Sequence, residues 1–95
     1  MNICFLENTF FKYNSTHLYF DTLRGAETVL INLSKSLKKL GHQVTIFNNC
    51  PQNEVIEGIN WVNINSYFVK EKFDLAISNN DIRLFDKIIS NKKVL

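Results

Sequence analysis

The sequence predicts an α/β fold, a mostly parallel sheet in a three-layer domain left incomplete at its C-terminal end. Three observations predict it. Short apolar, β-forming runs recur near 2–6, 43–48, 59–64, 73–78 and 93–95. Segments of helical period fall between them, near 26–40 and 81–90. A hydrophobic share of 45% against a charged share of 21% belongs to a chain that buries a core, not to a disordered one.

The elements follow in order. Asn2 to Leu6 is a short apolar run and reads as a buried parallel strand. Residues 7–24 have no clear period and hold Phe10, Phe11, Tyr13, Tyr19 and Phe20. A loop of that length inside a compact domain is commonly functional. Its rings either line a groove for a sugar or lipid acceptor or pack beneath the loop as a satellite core, and both readings stay open. Over 26–40, Ala26, Val29, Leu30, Leu33, Leu37 and Leu40 form one apolar stripe. Glu27 in the first turn and Lys35, Lys38 and Lys39 toward the end suit the helix dipole, and Gly41 is a natural stop. Gln43 to Asn48 then reads as a strand, so strand, helix and strand make a right-handed βαβ unit with parallel strands.

Residues 49–60, with Pro51 and Gly58, read as a loop, and Ile59 to Ile64 with Trp61 as a weaker strand. Residues 66–72 are ambiguous, one helical turn at most. Phe73 to Ser78 is a buried strand. Asn79, Asn80 or Asp81 can cap a helix carrying Ile82, Leu84, Phe85, Ile88 and Ile89, with Asn91 at its end. Lys92-Lys93-Val94-Leu95 reads as the opening of a further strand. A strand cut off there reads as a truncated frame or a fragment and leaves an unpaired sheet edge.

Charge and cysteine usage exclude several classes. Eleven Lys/Arg against nine Asp/Glu give a net charge of +2, too mild for a nucleic-acid binder. The pairs Lys38-Lys39 and Lys92-Lys93 read as solvated faces, with weak peripheral membrane contact as the alternative. Cys4 and Cys50 form no CxxC pair and have no His at ligand spacing, so buried reduced thiols and no metal are expected. The start lacks a basic region followed by a long apolar stretch, and no apolar run reaches membrane-spanning length. The expected location is cytoplasmic, peripheral at the inner face of the membrane if the lysines make contact there. Two Asn-x-Ser/Thr matches, at Asn14 and Asn32, read as chance in a sequence without a secretion signal.

The chemistry-bearing stretch is Leu23-Arg24-Gly25-Ala26-Glu27-Thr28. In a parallel α/β sheet the loop after the first strand opens at the carboxyl edge, where ligands of this architecture bind. A glycine before a helix permits close backbone approach, and the first helical amides have no intrahelical acceptor. A phosphate or diphosphate fits there, and Arg24 could add a charge-assisted hydrogen bond. The bland alternative is a helix-start glycine beside a solvated arginine. Glu27 either favours the helix N-terminus or reaches a sugar hydroxyl.

The run Met1 to Leu6, the long loop, Arg-Gly-Ala-Glu-Thr-Val-Leu, and Leu37-Lys-Lys-Leu-Gly-His-Gln-Val-Thr-Ile-Phe resemble the N-terminal domain of GT-B-fold retaining glycosyltransferases, the lipopolysaccharide and capsule type. Gly41-His42-Gln43-Val44 matches that family's helix-to-strand junction, and 73–78 and 92–95 resemble its fourth and fifth strands. The resemblance spans nearly the whole chain. It implies an incomplete Rossmann-like, acceptor-side domain over 1–95 with the first strand central and the donor-binding C-terminal domain absent. It also implies a parent enzyme that moves a sugar from a nucleotide diphosphate sugar to a glycan or lipid-linked acceptor in cell-envelope polysaccharide synthesis.

The family's glycine loop maps onto Arg24, Gly25, Ala26 and Glu27 as donor-phosphate-binding residues. Arg24 departs from the pattern, since a first glycine is common there. No catalytic residue and no cofactor is implied within this stretch: His42 sits at the far end of the helix, and His17 has no evident partner. The chain is therefore expected to be inactive alone. The alternatives are a non-catalytic half-domain that docks with a partner chain and another nucleotide-binding α/β module. A dinucleotide oxidoreductase is disfavoured because no Gly-x-Gly-x-x-Gly follows the first strand. A response-regulator-like domain is disfavoured because only Glu7 supplies an acid there.

Overall fold

The computed structural model describes residues 1–7, 12–17, 25–66, 72–78 and 82–94. Six strands form one sheet: β1 (Asn2–Leu6), β2 (Gln43–Asn48), β3 (Glu54–Ile56), β4 (Ile59–Asn63), β5 (Lys72–Ser78) and β6 (Ile89–Val94). Their order is β3-β4-β2-β1-β5-β6. Every neighbouring pair is parallel except the β3–β4 hairpin. The described residues hold one α-helix, α1 (Gly25–Lys39), and three 3-10 segments, Ser15–His17, Ile64–Ser66 and Ile82–Lys87. The fold is thus α/β with a mostly parallel sheet, and β1 is the middle one of the five parallel strands.

β1 is apolar from Ile3 to Leu6 because both its faces are covered there. Ile3 and Phe5 point to the α1 side and pack with Leu30, Ile31, Val44, Ile46 and Trp61. Cys4 and Leu6 point the other way, into Phe47, Ala76, Leu84 and Phe85. Cys4 and Cys50 are both buried free thiols.

α1 runs back along the sheet and ends as its sequence predicts. Gly41 takes φ 94°, its N–H bonds to Lys38 O at 3.0 Å, and the His42 N–H reaches Leu37 O at 3.2 Å. That pair of bonds is a Schellman cap, and only glycine adopts its left-handed position without a Cβ penalty.

The core-facing stripe of α1 differs from the expected one. Glu27, Leu30, Ile31 and Ser34 are buried and Leu37 is half-buried, whereas Val29, Leu33 and Leu40 are 63%, 42% and 75% exposed. Two of the five inward positions are polar, so a count of apolar residues places the stripe too far round the helix. Ser34 is tolerated inside because its hydroxyl donates to Leu30 O at 2.7 Å.

Two further expectations are corrected. The loop read over 49–60 contains β3, which turns into β4 through Glu57 (φ 51°) and Gly58 (φ 79°). Positive φ at both residues of a two-residue loop is the primed turn that suits strand twist. Glutamate rarely adopts that conformation, which hid the hairpin. The helix expected over 81–90 is only the 3-10 segment Ile82–Lys87, and β6 starts at Ile89 instead of 93. A helix that short gains little from its own hydrogen bonds, and β-branched Ile88 and Ile89 favour the strand. Ile89 pairs with Lys72 and the register continues to Val94 opposite Ile77. A second α-helical layer is therefore missing from the described residues. The expected caps Asn79, Asn80 and Asp81 lie outside the described residues.

No helix among the described residues is long and apolar enough to cross a membrane.

Candidate functional site

The direction of α1 fixes where a ligand site can be. Its C-terminal end lies at the strands' amino edge, where Gln43 N bonds to Met1 O at 2.9 Å. Fifteen helical residues span about 22 Å, so Gly25 and the first amides, which have no acceptor within the helix, stand at the opposite, carboxyl edge. At that edge β1 lies between β2 and β5, with Leu6 opposite both Phe47 and Ser78. The sheet order reverses direction there: the chain goes from β1 to β2 and β4 on one side, then crosses to β5 and β6 on the other.

Buried polar groups gather around this edge. Glu7 follows β1 directly and is held by its N–H to Phe47 O at 2.9 Å. Tyr13 is fully buried, and its hydroxyl donates to Glu7 Oε1. The Tyr13 ring meets Trp61 edge-on, centroids 6.1 Å apart. Its backbone is tied to the end of β2 twice: Tyr13 N–H bonds to Asn49 O at 3.1 Å, and Asn48 Nδ2 donates to Tyr13 O at 3.2 Å. Asn14 Oδ1 accepts from the N–H and hydroxyl of Thr16, closing an Asx turn, while its Nδ2 donates to Glu54 Oε1 at 3.0 Å. The 12–17 segment is thereby fastened across the carboxyl ends of β1 and β2.

Glu27, in the first turn of α1, completes the group. It is 5% exposed and acts electrostatically on Tyr13 together with Glu7. Burial, then the Glu7 charge and hydrogen bond, push the Tyr13 hydroxyl far above its ordinary value, so it stays a neutral donor. Three side-chain atoms of this group, Glu27 Oε2, Asn48 Oδ1 and Ser15 Oγ, are buried without a hydrogen-bond partner, as is Trp61 Nε1. Such atoms each cost about 1–3 kcal/mol, so their gathering at one edge calls for a reason.

The predicted site residues divide accordingly. Gly25 and Ala26 open α1 at the carboxyl edge, and Glu27 turns inward from the same turn. Arg24 lies outside the described residues, as do Phe10, Phe11, Tyr19 and Phe20 of the aromatic loop. Tyr13, from that loop, is core and not a groove lining. His42 sits at the amino edge, where the Met1 ammonium donates to its Nδ1 at 2.9 Å. The sequence reading assigned no role at the site to Asn48 and Ser15, took Tyr13 only as one of the loop rings that line an acceptor groove or pack as satellite core, and used Glu7 only to weigh a rival fold. One signal was available: an acid directly after a wholly apolar strand must sit at a sheet end. The contribution of Asn48 depends on pairing between distant segments, which local sequence does not carry.

Among the described residues no group of three or more His, Cys, Asp or Glu converges as metal ligands do. No protein-family model, curated protein or solved structure matches this chain.

Proposed function

We propose that this chain is the first, acceptor-side part of a GT-B-type glycosyltransferase, with a Rossmann-like three-layer parent domain. Gly25 and Ala26 present backbone amides to the diphosphate of a nucleotide sugar, and Arg24 adds positive charge. The observation that carries the reading is that α1 begins at Gly25 on the carboxyl edge of the sheet, where its first amides have no acceptor within the helix. The parallel strands in the order β4-β2-β1-β5-β6 support it, because doubly wound sheets of this order bind ligands where the order reverses. The acceptor is a glycan or lipid-linked sugar, and peripheral contact with a membrane runs through exposed Lys38 and Lys39.

Calorimetric titration of the full chain tests the reading. Uridine or guanosine diphosphate should bind weakly and saturably, because half the site belongs to a second domain. Tight binding of NAD instead would replace the reading with a dinucleotide-binding one.

A second reading is favoured by one specific observation. Val29, Leu33 and Leu40 make an exposed apolar line along α1, as expected of a half-domain that docks onto a partner chain. Under this reading neither diphosphate binds the chain alone.

A further inference from the structure

We propose that the outer face of α1 is a docking seam for an amphipathic helix of a partner chain, one whose flank is acidic. This inference rests on the docking reading above and names the element and the charge of the partner.

The inference begins from spacing. Val29, Leu33, Ser36 and Leu40 follow one another at intervals of four, three and four residues. The Leu40 N–H bonds to Ser36 O at 3.2 Å, so the helical path reaches the last of them. At about 100° per residue the four stand within about 60° of one another. All four are exposed. Four-three spacing is the repeat by which one helix sets its side chains into the holes of another. Ser36 is compatible with such a seam. It is small, and its hydroxyl donates to Asn32 O at 3.1 Å, so it meets a partner with its polar atom already satisfied. A bilayer asks for something wider: a helix lying in a membrane surface presents a broad apolar face, commonly with aromatic rings.

Charge decides the kind of helix. Glu27 is the sole acid of α1 and is buried, while Lys35, Lys38 and Lys39 reach the surface. A groove of about 610 Å³ runs beside the seam, lined by Asn32, Lys35, Ser36, Lys38 and Lys39 of α1 and by Glu57 of the β3–β4 turn. Three cations against one carboxylate leave it positive, even with Lys35 meeting Glu57 at 3.6 Å. Ser36 belongs to both features, so seam and groove are continuous. The seam takes the partner's apolar residues, and the groove takes carboxylates beside them, as the flanking positions of paired helices do. A second copy of this chain fits poorly. Setting α1 against α1 brings two basic rows together, with no exposed acid on either helix to offset them.

The test uses a pair of synthetic peptides of about three heptads, with leucine at the seam positions and either glutamate or lysine at the flanking ones. Each carries a fluorophore, and its anisotropy is followed as the full chain is added. The glutamate peptide should bind saturably and about tenfold more tightly than the lysine peptide, the scale of a few exposed ion pairs. Leu33→Ser should weaken the glutamate peptide about tenfold, the loss of one leucine from the interface. Leu33 is an exposed residue, and circular dichroism confirms that the variant folds. Lys39→Glu should cut the preference between the peptides about fivefold.

If both peptides bind alike, this inference is overturned while the docking reading stands. Binding that Leu33→Ser leaves unchanged also overturns it, because the peptide is then held elsewhere. The inference falls as well if neither peptide binds and Leu33→Ser instead dissociates a dimer of the chain in sedimentation, or releases the chain from vesicles of anionic phospholipid. The seam then belongs to a second copy or to a lipid surface. If nothing occupies the seam by any of these measures, the docking reading itself fails and takes this inference with it.

Discussion

The two ends of the same strands are built on opposite terms. At the amino edge, polar groups are exposed and paired. The Met1 ammonium meets His42, and the Asn2 N–H bonds to the Asp74 carboxylate at 2.7 Å in an exposed position. At the carboxyl edge, Glu7, Tyr13, Glu27 and Asn48 are buried, and two of the four hold an unsatisfied oxygen. Desolvation of such groups is unfavourable, whereas solvated pairs cost almost nothing and contribute little. The contrast teaches that stability alone does not account for the carboxyl edge. A sheet end that only had to be closed could have been closed as the amino edge is.

The contrast can be broken by substitution, and the largest effect should come from the ring that supports the polar group. Trp61→Ala removes a fully buried side chain from beneath Tyr13. It should destabilise by about 3–5 kcal/mol, measured as a fall in urea midpoint. A loss under about 1 kcal/mol would mean that the β4 side of the core is not packed as described.

Tyr13→Phe is the sharper probe, since it keeps the ring and removes one hydrogen bond. It should cost about 1–3 kcal/mol, because a carboxylate in the core loses a donor. The variant also isolates a pH effect. The Tyr13 hydroxyl titrates well above its unfolded value of about 10. The folded state then holds a proton that the unfolded chain releases. This contribution is complete below pH 10 and declines as pH rises beyond it. Wild type should lose stability above pH 10 faster than Tyr13→Phe, in denaturation series at matched pH. Parallel curves would show that the hydroxyl is not buried against Glu7.

His42→Ala, at the opposite edge, should change stability by no more than about 0.5 kcal/mol, the range of surface substitutions. A loss as large as that of Tyr13→Phe would erase the distinction between the two edges.

Much of this organisation was legible in the sequence, for reasons that differ by element. β1, β2 and β5 could be read because each carries a run of apolar, β-forming residues that is largely buried. The end of α1 could be read because Gly41 has one conformational use there. The inward face of α1 could not, because Glu27 and Ser34 occupy core positions that a hydrophobic pattern assigns to solvent. β3 stayed hidden because Glu57 stands where a hairpin turn ordinarily has Asn, Asp or Gly. The end of β6 was read as a strand opening, but its first residues were read as the tail of a helix because Ile88 and Ile89 fit either period and only pairing with β5 decides between them. The candidate site was half legible. Gly25, Ala26 and Glu27 stand together in sequence, whereas Glu7, Tyr13 and Asn48 meet only once β1 and β2 are side by side.

The central claim is that the start of α1 receives an anion at the carboxyl edge. Nitrogen-15 NMR of the full chain, titrated with uridine diphosphate and then guanosine diphosphate, tests it most directly. The account predicts saturable amide shifts at Gly25 and Ala26 with at least one of the two, while Gly41 and His42 stay still. Shifts centred on Gly41 and His42, or a folded spectrum unchanged by either nucleotide, would contradict it.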